Sequence, residues 1–375
     1  DRSSHPRNFV EFDGHLCFCA DDGSGRRTHK TDGVDIYSIP STSVDLFSGM
    51  PIEFKGSLYG SEAWGDQLYK FDGNRLAELG KLDLPATFPG RLEVVGDWLY
   101  FVAVRGSTTE NRSVYKTDGY DVFEIADLGP PSEQGCIGCV TEDQLFEFAG
   151  SLYFSAPRFG NRALFKTDGV TVTQLGNVSP HPVTFWPESD SYPRQVVEFR
   201  GEMFFNGTDS SGDGFFKTDG TVVSNIADFN SWNEYVQFQD ELYFMGSGQS
   251  GNRLYKTDGA AVSEVGNVQT TWREFIEFNG ALYFSGVGPD GLGLYKTSGS
   301  TVSKVADVTP SSADGTTQDA RFLGKLHQTS RALFFVATNE SDVQLFATDG
   351  ESAVAFDFIP DRADFYVWDF RQGSE

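Results

Sequence analysis

No stretch of this sequence approaches the roughly 18 consecutive apolar residues that a membrane-crossing helix needs, and the opening DRSSHPRN has no apolar signal-peptide core. Starting at Asp1 rather than Met, the chain reads as a processed product. Basic residues are scarce: 29 Lys and Arg stand against 54 Asp and Glu, a net charge of −25. That imbalance excludes nucleic acid as a partner and disfavours an anionic membrane surface, because both would repel the chain. It favours solubility, a salty surrounding or a cationic partner. Methionine is nearly missing, with 3 in 375 residues, and long helix-forming runs are absent. The marks of several enzyme classes are absent too. There is no G-x-S-x-G elbow, phosphate-cradling loop or dinucleotide fingerprint. The five histidines, His5, His15, His29, His181 and His327, have no metal-ligand spacing.

Cysteine is limited to two close pairs, Cys17/Cys19 and Cys136/Cys139. No His follows the second pair, which excludes haem attachment. Disulfides are the first reading for both pairs, with buried thiols or a metal as the alternatives. The sequons at Asn111, Asn177, Asn206 and Asn339 are candidate glycosylation sites, pointing to a secreted, extracellular protein.

What the sequence has in abundance is a repeat. A hexapeptide, plainest as Leu-Tyr-Lys-Thr-Asp-Gly at 254–259, recurs eight times, its copies ending at Gly33, Gly73, Gly119, Gly169, Gly220, Gly259, Gly299 and Gly350. A period of this size signals an array of identical supersecondary units. Asp-Gly between two β-rich runs predicts a hairpin with a tight primed turn. Around it each repeat has four alternating segments, A to D, shown best by Phe275–Phe278, Leu282–Phe284, Leu294–Thr297 and Val302–Val305. The A–B and C–D links read as tight turns of about two residues. The B–C loops read as longer and Gly-rich, and the D–A links as longest and most variable. These features predict an all-β chain: a single β-propeller domain over residues 1–375, with eight four-stranded blades. Seven blades are the alternative count and a solenoid the runner-up. Segment A of the eighth repeat reads as degenerate, around Arg321–Leu323. Residues 364–371, containing Phe365-Tyr-Val-Trp-Asp-Phe370, read as a surplus ninth strand A. It either packs on its own propeller or adds to a neighbouring molecule, which would make the chain self-associate.

Phe18-Cys-Ala-Asp-Asp-Gly-Ser-Gly25 followed by Lys30-Thr-Asp-Gly33 resembles the extracellular repeat group with the pattern F-x-A-x-D-G-x-x-G-x-E-L-W-x-T-D-G-T. Two departures stand out. The Trp of the pattern is Tyr or Phe here, and the Thr after Asp-Gly survives only at Thr221. The resemblance implies propeller blades and binding or surface roles.

The recurring Lys and Asp of the hexapeptide read as structural: Asp supports the turn, and the Lys stem covers apolar surface. The strand A acids Glu11, Glu53, Glu93, Glu147, Glu198 and Glu277, with Gln237 in the sixth repeat, suggest either a cation site or, more simply, acids paired with backbone N–H groups or lysines. Asp21, Asp22, Asp209 and Asp213 in the B–C loops are candidate calcium ligands, though neither loop fits the twelve-residue calcium pattern. Phe185, Trp186, Tyr192, Trp232 and Trp272, in the D–A links, are candidate sugar-stacking residues. The function these features favour is an extracellular, non-enzymatic binding or structural protein, recognising carbohydrate or protein through the B–C and D–A face. A lectin, a self-assembling surface subunit and a two-carboxylate hydrolase are the alternatives.

Overall fold

A computed structural model of the chain describes residues 4–23, 25–39, 51–61, 68–79, 90–104, 112–129, 145–158, 161–180, 196–229, 231–248, 251–270, 275–307, 326–339 and 342–356. Every regular element among them is a strand, and the strands form eight antiparallel four-stranded meanders. This is a β-propeller fold. In the first blade the order is Arg7–Phe12, His15–Asp21, Arg26–Thr31, Ile36–Ser38, each strand pairing with the next. The same A–B–C–D order repeats seven times, and Gln269 and Thr270 of blade 6 extend its sheet onto Val287 and Gly286 of blade 7.

By contact density the chain divides into two compact units: Asp1–Phe185 with Thr208–Ser210 and Thr218–Val223, and Trp186–Gly207 with Ser211–Lys217 and Ser224–Glu375. Within each unit the core is a stack of blade-to-blade layers. In the first unit Leu58 packs among Phe12, Cys17 and Cys19 of blade 1, Leu99 joins Phe54 and Tyr59 of blade 2, and Leu152 joins Val95 and Tyr100 of blade 3. In the second unit Leu242, Leu282 and Leu333 meet the preceding blade in the same way. The reason is the period of two. The second residue of strand B points back to the preceding blade and the third points forward. Both are large, so each layer is filled from two sides, and each such leucine contributes ~1.5–3 kcal/mol.

The turns correct the sequence reading. The tight primed turn lies at the A–B link, where Phe12 pairs with His15 and Phe148 with Ser151. There both central residues have positive φ, as in Asp13/Gly14 (51° and 69°) and Ala149/Gly150 (49° and 75°). The Asp-Gly link is a four-residue loop, since Thr31 pairs with Ile36 and Thr117 with Val122; only its Gly has positive φ, 92° at Gly33 and 101° at Gly119. The B–C links expected to be long are mostly two residues, with Gly248 paired to Gly251, Gly288 to Gly291 and Asn339 to Asp342. Glycines at positive φ (85° at Gly251, 90° at Gly291) let strands B and C run on to the tip. In blade 8, strand A is His327–Gln328, later than expected, and reaches strand B through a loop in which the Thr329 hydroxyl accepts from the Arg331 and Ala332 N–H groups. Arg321–Leu323 and the ninth strand at 364–371 lie outside the described residues.

Candidate functional site

The hexapeptide builds a seam along one end of the blades. Thr Oγ1 accepts from the Gly N–H two residues on, 3.0 Å at Thr117–Gly119 and 2.9 Å at Thr167–Gly169. Asp Oδ1 accepts two further N–H groups, for example 2.9 and 2.7 Å from Val170 and Thr171 to Asp168. These bonds favour the ionised carboxylate, so the Asp168 and Asp258 acids titrate below the usual carboxylate range. At Asp219 the Thr221 hydroxyl adds a 2.6 Å bond, the largest cause, and the pKa falls to about 2.

A turn fixed in this way aims its Gly carbonyl at the preceding blade, where the Lys of that blade's hexapeptide meets it. Lys30 donates to Gly73 O (2.6 Å), Lys116 to Gly169 O (2.8 Å), Lys217 to Gly259 O (2.7 Å) and Lys296 to Gly350 O (2.6 Å). Lys70–Gly119 and Lys166–Gly220 repeat the pattern. The A–B turns join in: Arg200 donates to Asp258 O at 2.9 Å and Asn279 to Asp349 O at 3.1 Å. The lysine is therefore a blade-to-blade tie, a sharper role than stem coverage. Strand B tyrosines lie beneath the same glycines, and a Cβ at Gly169 would stand 2.5 Å from the Tyr100 hydroxyl. Burial raises the Tyr100 and Tyr153 pKa values.

Elsewhere, the candidates that fall among the described residues sit on separate strands and turns. Among the described residues no group of three His, Cys, Asp or Glu is placed to hold a metal. Asp21 accepts from the Gly23 N–H at 2.8 Å and Asp22 lies 3.6 Å from Arg27, while Asp209 and Asp213 flank the short strand link at 210–211. Cys17 and Cys19 form no disulfide. Two apart on one strand, they share a face, and both are buried in the blade 1–2 layer; burial pushes the Cys17 thiol pKa up. Cys136 and Cys139 lie outside the described residues.

The sequon residue Asn206 is buried. Only 3% exposed, it donates its amide to Ser231 O at 2.7 Å, and its Oδ1 accepts from Ser231 N and Oγ. Asn177 is exposed, Asn339 ends a strand, and Asn111 lies outside the described residues. Trp232 falls within strand A of blade 6, paired with Met245, rather than in a loop. Phe185, Trp186, Tyr192 and Trp272 lie outside the described residues. Of the strand A acids, Glu147 accepts from the Gly150 N–H at 2.8 Å, the backbone role expected of them. Gln237 donates to Glu198 O of the adjoining blade at 3.1 Å. Among the described residues, Ser38 Oγ lies 3.2 Å from His29 Nδ1, a cross-strand pair that brings a hydroxyl to an imidazole. His29 Nε2 is buried with no hydrogen-bond partner, so no carboxylate orients that ring.

Sequence reasoning missed one feature. In the first unit three of the five residues just after the Asp-Gly are apolar and exposed, Val34 88%, Tyr120 79% and Val170 86%, the others being Asn74 and Thr221; Val222, one position further on, is 61% exposed. The corresponding positions in the second unit are Ala260, Ser300 and Glu351. The signal was legible, as variation directly beside the recurring Asp-Gly.

No family model matches the sequence, and no curated protein matches it. Solved structures do. A puromycin-hydrolysing peptidase of Mycobacterium tuberculosis is 13% identical with a TM-score of 0.40, over 91% of this chain and 60% of its own. A structure from a study of two prolyl endopeptidases is 9% identical with a TM-score of 0.38, over 94% and 50%. The β-propeller domain of the trilobed protease from Pyrococcus furiosus is 9% identical with a TM-score of 0.34, over 82% and 96%. The chain thus spans 60% and 50% of the first two. No reaction is argued from likenesses of this size. They do correct one expectation. The solved propeller among them is a protease domain, so the architecture is no ground for calling this chain non-enzymatic, and that reading is withdrawn together with its loop-face recognition.

Proposed function

We propose that this chain is a propeller module that docks a protein partner on the turn rim of its first unit, with its own enzymatic role left open. The observation that carries this is the exposure of Val34, Tyr120, Val170 and Val222. Each is held by the Asp-Gly brace beside it, so binding it costs little ordering entropy. Single exposed apolar residues are ordinary; here three recur at the same position of the braced turn, and Val222 stands one position further on in a fourth turn. Asp32, Asp118, Asp168 and Asp219 flank them, all with pKa values lowered chiefly by hydrogen bonds to the turn. With a chain charge of −25, these anions suit a segment that alternates apolar and basic residues. Membership of the extracellular Asp-Gly-Thr repeat group belongs to the same proposal, supported by the bond from Thr221 Oγ1 to Asp219.

Titration of a fluorescent peptide of alternating Leu and Lys onto the whole chain tests it. Replacing all four residues by Ser should weaken binding by about tenfold or more, because losing even ~0.4 kcal/mol of apolar contact at each site exceeds 1.4 kcal/mol in sum. Equal binding to both proteins would overturn the reading. Peptidase assays on the same samples read out any enzymatic role separately.

A further inference from the structure

Blade 8 departs from the repeat at both positions that tie one blade to the next. Ala347 stands where blades 1 to 7 carry the seam Lys, and Phe334 stands where blades 2, 3, 4, 6 and 7 carry the strand B Tyr. Ala347 pairs with Phe334 on one side and Val354 on the other, while Leu345 pairs with Val336 and Phe356 two residues along. Strand periodicity puts these six on one face. Every one is apolar, whereas blade 7 sets Tyr283, Lys296 and Ser303 in register on its corresponding face. Tyr283 is 1% exposed there, while Val354 is 63% exposed; Phe356, 41% exposed, stacks on Phe334 with ring centroids 6.5 Å apart.

We propose that this face of blade 8 is the docking site of the chain's own segment Phe365-Tyr-Val-Trp-Asp-Phe370, which lies outside the described residues. The last strand of the blade ends at Phe356, so eight residues, 357–364, separate it from the segment. They reach up to about 26 Å, twice the ~13 Å length of a four-residue strand, which is enough to turn back over the sheet just left. The composition matches: five of the six residues are apolar or aromatic. The two departures also match this occupant. A Lys and a Tyr hydroxyl beneath an apolar segment would lose their solvation without a carbonyl to bond, and Ala and Phe carry no such group. A second copy offering its Asp-Gly turn would find neither donor of the seam.

The test is a disulfide trap in the full chain: Val354→Cys with Val367→Cys, and Cys136 and Cys139 changed to Ser. Under mild oxidation the expected product is an internally cross-linked monomer, lighter by two hydrogens in intact mass. A disulfide-linked dimer would make the occupant a second copy and overturn the proposal, as would the absence of any cross-link. Deleting residues 361–375 gives a second readout, an increase of roughly twofold or more in early deuterium uptake at 353–356. Unchanged uptake would also overturn it. If the deletion fails to fold, the full-length trap still decides.

Discussion

Two seams of the same repeat are held differently. Between blades 4 and 5, Lys166 donates to Gly220 O, the Tyr153 hydroxyl lies beneath that glycine, and Asp219 takes three bonds from its own turn. Between blades 6 and 7 the turn carries Ser298 in place of Asp. There the Gly299 carbonyl accepts from the Tyr243 hydroxyl at 3.4 Å, and Lys256 pairs with Glu241 at 2.7 Å. The carboxylate does not by itself divert the lysine, since Lys217 holds Glu202 at 2.9 Å and Gly259 O at 2.7 Å together. What differs is the brace. A turn whose N–H groups are satisfied by an ionised Asp holds its glycine carbonyl in one direction, and the neighbouring blade uses that direction. Local turn chemistry thus sets a contact between blades.

The largest break in this comparison is at the glycine. Gly220 has φ +87°, and an added Cβ would stand 2.6 Å from the Tyr153 hydroxyl. Gly220→Ala should therefore lose about 2–4 kcal/mol, from left-handed strain and overpacking together. Gly299→Ala should lose about half as much, because its nearest neighbour is the flexible Gln239 side chain at 2.9 Å. Urea unfolding of the two variants measures the difference, and equal losses would show that strain alone matters.

The lysines come next. Lys116 holds Gly169 O at 2.8 Å and lies 3.9 Å from the Trp98 ring centroid. Lys116→Ala should cost about 1–3 kcal/mol, the range for a hydrogen bond from a charged group with a cation–π contact. Lys256→Ala should cost less, ~1 kcal/mol, since its ion pair with Glu241 is partly solvated. Matching midpoints for the two variants would contradict a special role for the carbonyl tie.

The smallest effect is the acid response of the braces. Their folded-state pKa values are depressed, Asp219 to about 2 from an ordinary 3.8, so their contribution is complete above the unfolded value and is lost as pH falls through the folded one. Thermal midpoints should drop between pH 4 and pH 2. Asp219→Asn, which keeps an accepting oxygen but cannot ionise, should show a shallower drop. Ser298→Asp should raise the midpoint at pH 7 by about 1–2 °C and lose that gain below pH 3. An increase that persists at pH 2 would mean that ionisation is not its source.

Much of this was legible in the chain. The recurrence of the hexapeptide marked the four-stranded meanders, and the alternation in Leu282-Tyr283-Phe284 set which residues face forward and back, because both are properties of a single strand. Loop lengths were misread. Gly251 and Gly291 look like loop residues in sequence, yet their positive φ closes two-residue turns. Asp-Gly looks like a primed hairpin, yet the Asp side chain bonds the two N–H groups after Gly and opens a four-residue loop. Asn206 could not be read at all. Its sequon is local, but the residue its amide bonds inside the fold, Ser231, is 25 residues away. By itself the sequence determined the repeat, the strand order and the apolar faces, which depend on neighbours along the chain. Only the tertiary structure decided that the lysine ties blade to blade, that Cys17 and Cys19 are core thiols and that four turn residues stand out on one rim. Those facts depend on which residues from other strands occupy the same space.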